Sequence, residues 1–166
     1  MNDTAAAFGG LDILIANVSA LNQGTDEVAW HQSFVVDVQA RFSAADAARS
    51  HIQASDAGAM VFILSIAALH TPGGSKPYAT MKAAVINFAR GLAWAPAAGG
   101  VCVNCVSPGN ICFEDGVWGK VERNNPEFFQ KHVSANPRGR RGTPHEVANA
   151  AVSLARPVSS FFPGQT

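Results

Sequence analysis

Apolar runs alternate with helical patterns along the chain. LDILIANVSA (11–20) is short and almost wholly apolar, the signature of a strand buried on both faces in a parallel sheet. From about Glu27 to Ala54, apolar residues recur at helical spacing among Ala, Gln, Asp and Arg, which predicts one long helix. MVFILSIAAL (60–69) predicts a second buried strand and TPGGSKP a loop. A helix is predicted from Tyr78 to Trp94, stopped by Pro96 and the Gly99-Gly100 pair. VCVNCVSPG predicts a third strand that ends on Pro108-Gly109. Residues 110–142 are irregular and aromatic, with Trp118, Phe128-Phe129 and one short helix at about 126–134; such an insertion after a strand reads as a lid or binding loop. Thr143, Pro144 and Glu146 supply an N-cap, a first-turn proline and a capping box for a last helix to about Ala155.

Strands alternating with helices imply crossover connections and a parallel sheet covered on both faces. In such sheets sites gather at the carboxyl ends of the strands. Ser65, Tyr78 and Pro108-Gly109 all fall at that rim. The chain therefore reads as one domain over residues 1–166, with the 110–142 loop inside it.

Composition narrows the class. The 166 residues are 48% hydrophobic and 14% charged, which calls for a packed core. Twelve basic and twelve acidic side chains cancel, without a basic stripe, so neither nucleic acid nor anionic lipid is expected as a partner. The longest apolar run, AMVFILSIAAL, is eleven residues, well short of the ~20 needed for a membrane span. MNDTAAAFGGLD lacks the basic stretch of a secretory signal. Cys102 and Cys105 form a C-x-x-C, but in a strand a separation of three points them to opposite faces, so they read as buried thiols of a cytoplasmic protein. The five histidines show no ligand spacing, and no metal is expected.

The chemistry concentrates in PYATMK (77–82). Tyr78 is the only tyrosine, and Lys82 lies one helical turn away, where Cβ atoms are about 5–6 Å apart. A nearby cation favours a phenolate, so the pair could move a proton near neutral pH. Ser65 could hold the substrate oxygen whose charge changes. Alone, a Tyr-x-x-x-Lys match is as well explained by a solvated surface pair. Its setting is what strengthens it: a serine at a strand end, a Gly/Pro loop, then the helix, then a strand closing on Pro-Gly.

This combination resembles the short-chain dehydrogenase/reductase family. LDILIAN is similar to the segment the family writes LDILVNNAG, and VNCVSPGNI to its strand before the nicotinamide-contacting Pro-Gly. RGRRGTPHEVANAAVSLA through SFFPGQT is similar to its C-terminal helix and the approach to its last strand. The likeness runs from about Phe8 to Thr166 and is nearest to members described as 3-oxoacyl-carrier-protein reductases. It implies a three-layer, Rossmann-like, doubly wound α/β sheet. It also implies an NAD(P)-dependent oxidoreductase that interconverts an alcohol and a ketone. In that reading Tyr78 is the acid/base, Lys82 lowers its pKa and contacts the nicotinamide ribose, and Ser65 positions the oxygen. Asn17, Pro108, Gly109 and Ile111, with Tyr78 and Lys82, line the cofactor site. The expected substrate is a small carbonyl or alcohol compound with an apolar body under an aromatic lid (about 113–136), and homo-oligomers form through the helices near 27–54 and 78–94.

The sequence also departs from the family. The opening strand with its glycine-rich, pyrophosphate-binding turn has no counterpart here, nor does the last strand, so a partial sheet is expected. The residue that selects NAD or NADP belongs to that same opening segment, leaving the choice between them open. Asp37 stands where the family has an asparagine, NNAG has become Ala16-Asn17-Val18-Ser19, and Phe113 replaces a threonine. On this basis the isolated chain is expected to bind cofactor poorly and to self-associate through bare strand edges rather than remain a monomer. The alternative reading is an inactive remnant that serves as an oligomerisation or interaction module.

Overall fold

The computed structural model describes residues 1–70, 74–94 and 99–156. Three parallel strands, β1 (Ile13–Ala16), β2 (Ala59–Ile63) and β3 (Cys102–Val106), form a sheet in the order β1-β2-β3. Ile13 pairs with Ala59 and Ala59 with Cys102, so the three strands are in step and their carboxyl ends make one rim. A short helix, α1 (Asn2–Phe8), precedes β1 and was not anticipated.

The predicted long helix is three pieces: α2 (Glu27–Ser33), a π-helical segment (Phe34–Gln39) and α3 (Ala40–Gln53). Its inward residues are Ser33, Asp37 and Arg41, then Ala45, Ala48 and Ile52. In a regular α-helix four-residue steps drift by about 40° each, so a run of such steps turns away from the core. The wider π turn absorbs the drift and keeps Ser33, Asp37 and Arg41 in line. Helix α4 (Pro77–Trp94) buries Pro77, Ala79, Lys82, Val85 and Ala89 on one face, so Lys82 lies on the stripe that meets the sheet.

The two sheet faces have separate cores. Leu14, Ala16, Met60, Phe62, Val103 and Cys105 pack beneath α3 and α4. Ala59, Val61, Ile63 and Cys102 pack against α7 (Pro144–Ala155) through Ala151 and Ala155. Cys102 and Cys105 therefore do face opposite ways. On the α7 side, Ile13 and Ile15 of β1 remain 41% and 42% exposed, because α7 reaches only the β2–β3 half.

The 110–142 loop contains two helices, α5 (Val117–Asn124) and α6 (Pro126–Ser134), of which only the second was read from the sequence. Gly119 lets α5 close over the preceding turn, since a side chain there would collide with the carbonyl oxygens of Phe113 and Glu114. The capping box at Thr143 forms as predicted, with Glu146 N–H donating to Thr143 Oγ1 at 3.3 Å and Thr143 N–H to the Glu146 carboxylate at 2.9 Å. The strand expected at 60–69 ends at Ile63. The expected breaks at Thr71-Pro72-Gly73 and Pro96, and the SFFPGQT tail, lie outside the described residues.

Candidate functional site

Beyond the strand tips the chain is stitched side to side. Leu64 N–H donates to Val106 O at 2.8 Å, and Ile66 N–H to Pro108 O at 2.9 Å. These bonds extend the β2–β3 pairing past the sheet and hold Pro108-Gly109 beside Ser65. Ser65 is extended (φ −164°, ψ 150°) and caps a single 3-10 turn, Ile66–Ala68, its Oγ accepting from Ala67 N–H at 3.2 Å. The serine thus sits two residues past the strand rather than within it.

Tyr78, at the second position of α4, stands near enough to Ser65 for the serine side chain to influence its phenol. Lys82 Nζ lies 5.3 Å from the centroid of the Tyr78 ring. The serine, phenol and ammonium singled out in the sequence are therefore brought together. Their electrostatics differ from the expectation. Burial pushes the Tyr78 phenol above its usual value; the Ser65 side chain and Arg41 pull it back, while Asp37 raises it further. The Lys82 ammonium is itself paired with Asp37 Oδ1 at 3.2 Å. Burial and the Arg41 charge outweigh that partner and lower Lys82 to about 8.

Asp37 is the centre of a buried cluster whose size sequence reading missed. Ser19 Oγ donates to its Oδ1 at 2.5 Å, Ala20 N–H to Oδ2 at 3.2 Å, and Arg41 Nη1 approaches Oδ1 at 3.4 Å. Arg41 is 1% exposed and also donates to Asp37 O at 2.7 Å, Ile63 O at 3.0 Å and Ala16 O at 3.4 Å. Its guanidinium thus ties together the carboxyl ends of β1 and β2. The signal was present as Asp-x-x-x-Arg inside the apolar stretch FVVDVQARF, where two charges at helical spacing must face each other or water.

The remaining expected positions lie along the same rim. Asn17 follows β1 and is exposed. Gly109 has open space where a side chain would stand, and Ser107 before Pro108 carries a buried hydroxyl with no hydrogen-bond partner. Ile111 bridges to Gly142, with Cys112 N–H donating to Gly142 O at 2.9 Å, which draws the Arg138–Gly142 segment against the Pro-Gly loop. A shallow pocket there is lined by Gly109, Asn110, Ile111, Arg138 and Arg140; Ser65, Tyr78 and Lys82 do not border it.

The loop helices pack through aromatic rings. Trp118 stacks on Phe128 at 6.2 Å and 7°, and the Arg141 guanidinium lies over Trp118 at 3.8 Å. Phe113 and Phe128 stay about half exposed. Among the described residues no group of histidine, cysteine and carboxylate side chains could hold a metal, and no helix is long and apolar enough to cross a membrane.

A family model described as enoyl-(acyl carrier protein) reductase matches residues 1–166. Subunit BbsD of (2S)-[(R)-hydroxy(phenyl)methyl]succinyl-CoA dehydrogenase from Thauera aromatica is 31% identical, over 99% of this chain and 66% of that protein. Isoepoxydon dehydrogenase patN from Penicillium expansum is 29% identical, over 99% of this chain and 64% of that protein. Among solved structures, a short-chain dehydrogenase/reductase from Burkholderia thailandensis matches with a TM-score of 0.86 at 26% identity, over 98% of this chain and 64% of that one. ElxO with NADP bound matches with a TM-score of 0.88 at 28% identity, over 99% of this chain and 67% of that one. The chain thus spans about two thirds of the length of these relatives. With a family model matched over the whole chain and the fold shared with a solved short-chain dehydrogenase/reductase, the chain belongs to the short-chain dehydrogenase/reductase family.

Proposed function

We propose that this protein is an NAD(P)-dependent oxidoreductase that interconverts an alcohol and a ketone, with Tyr78 as the proton-transfer group. The observation that carries the reading is the convergence of the Tyr78 phenol, the Ser65 side chain and the Lys82 ammonium at the strand ends. The rim suits the nicotinamide end of a cofactor. Gly109 is open, Ser107 offers an unpartnered buried hydroxyl, and Asn17, Pro108, Ile111, Tyr78 and Lys82 stand along the same edge. When bound, the nicotinamide supplies or takes up the hydride.

In the reducing direction Ser65 donates a hydrogen bond to the carbonyl oxygen, and Tyr78 gives that oxygen its phenolic proton while the carbon gains hydride. A phenol kept protonated by burial is suited to the acid role. Arg41, which favours the phenolate, offsets the charge left behind. In the oxidising direction the same proton returns to Tyr78. The half-exposed aromatic surface of Phe113 and Phe128 fits a substrate with an apolar body, and exposed Phe34, Val35 and Phe42 on the long helical rod fit pairing with a second copy.

A second reading, an inactive interaction module, draws support from Asp37, which engages the Lys82 ammonium that a cofactor ribose would need. Nicotinamide fluorescence during titration with NADH and NADPH separates the two. The oxidoreductase reading expects a dissociation constant below about 100 μM for one of them; no binding of either supports the module. If turnover is found, Tyr78→Phe is expected to lower it by about 100-fold or more. Turnover at the parent rate would remove Tyr78 from the mechanism.

A further inference from the structure

We propose that Asp37 and Arg41 act as one unit that positions Lys82, anchoring its ammonium to the loop after β1 instead of leaving it to the phenol or to water. The inference rests on the oxidoreductase reading for its consequence but not for its geometry. Every atom that meets the Asp37 carboxylate is a donor. Oδ1 receives Ser19 Oγ, Arg41 Nη1 and Lys82 Nζ, and Oδ2 receives the Ala20 N–H. An amide of the same shape would have to aim its NH2 at one set of these donors. The site is therefore built for an acceptor-only group, which accounts for aspartate here.

Arg41 completes the arrangement. A lone buried carboxylate facing one lysine forms a neutral pair; the added guanidinium leaves the cluster with one excess positive charge. The excess falls on Lys82, since Arg41 is additionally fixed by three backbone carbonyls and does not lose its proton. The groups facing Lys82 are Asp37 from the π segment, Arg41 from α3 and Tyr78 from its own helix, while Cys105 of β3 faces Arg41. Asp37 also links Lys82 to Ser19 and Ala20, so movement of the 17–20 loop is transmitted to the ammonium through a single carboxylate.

The test reads Lys82 itself. The chain has four lysines, and the side-chain 13Cε resonances can be followed against pH, with Lys82→Arg assigning the signal. Asp37→Asn is expected to lower the Lys82 midpoint by about one pH unit or more, a tenfold loss of proton affinity. Arg41→Met is expected to raise it by a similar amount. Ser19→Ala, which changes no charge, keeps the test open if either variant fails to fold; it loosens Asp37 and is expected to shift the midpoint downward. Opposite shifts in the two charge variants, or a downward shift in Ser19→Ala, support the unit. A Lys82 midpoint that is unchanged in every folded variant overturns it. Turnover is not read, so a chain that never reduces a ketone leaves this inference standing, and an unmoved Lys82 leaves Ser65 and Tyr78 untouched.

Discussion

Two ionic clusters in this molecule use the same groups with opposite outcomes. At the rim, Asp37 meets Lys82 at 3.2 Å and Arg41 at 3.4 Å, all three side chains being 3% exposed or less. At the surface, Arg140 grips Glu146 with bonds of 2.6 and 2.9 Å, and the two side chains are 50% and 44% exposed. Distance alone would rank the surface pair first. Yet Glu146 is drawn down to about 2 by its arginine and the Thr143 N–H, as a carboxylate with partners should be, whereas Lys82 is lowered to about 8 in spite of its carboxylate. Where water remains, the partner decides the charge; where water is excluded, desolvation and the second cation decide it. The surface pair serves a helix end, and the buried cluster sets the protonation of the candidate site.

Breaking each cluster sharpens the contrast. The largest effect is expected from Asp37→Ala, which strands two buried cations and costs about 3–5 kcal/mol in urea denaturation. Next is the dependence of stability on pH. Lys82 is lower in the folded state than its usual 10.5, so above about 8 the unfolded chain binds more protons and stability rises with pH. The rise is cleanest between pH 8 and 9, because the raised thiols of Cys102 and Cys112 oppose it above 9 and the raised phenol of Tyr78 above 10. Thermal melts across this window should show the rise in the parent and a flat response in Lys82→Met. Thr143→Ala removes an N-cap and should cost about 1 kcal/mol. The smallest effect is at the surface pair. Glu146 is depressed from 4.5, so its contribution is present above 4.5 and fades as pH falls toward about 2; Glu146→Gln should flatten only that acidic limb, by less than the alkaline change at Lys82.

Much of the architecture was legible because burial leaves a periodic mark. The three strands, α4, α6 and the Thr143 capping box follow from apolar runs, helical spacing and cap chemistry. The π segment was not, since FVVDVQ looks helical either way and the wider turn answers to what Ser33, Asp37 and Arg41 must face. Helix α5 was hidden by its short length and by Gly119, which is dictated by tertiary contact with Phe113. At the rim, Ser65, Tyr78 and Lys82 were singled out from spacing and setting, and the fold brings them near one another. Their electrostatics were not legible, because the deciding partners, Asp37 and Arg41, lie about forty residues away in the chain. An arginine in a helix reads as exposed until a structure places two strand ends against it.

The convergence of Ser65 and Tyr78 in a partly buried site is the claim on which the rest depends. Because Tyr78 is the only tyrosine, difference absorbance of the phenolate near 295 nm reads it without interference from another phenol. The expected midpoint lies above 10, and Ser65→Ala is expected to move it higher by removing a hydroxyl that favours the phenolate. A phenol that titrates at 10 or below, with the same midpoint in Ser65→Ala, would contradict the account.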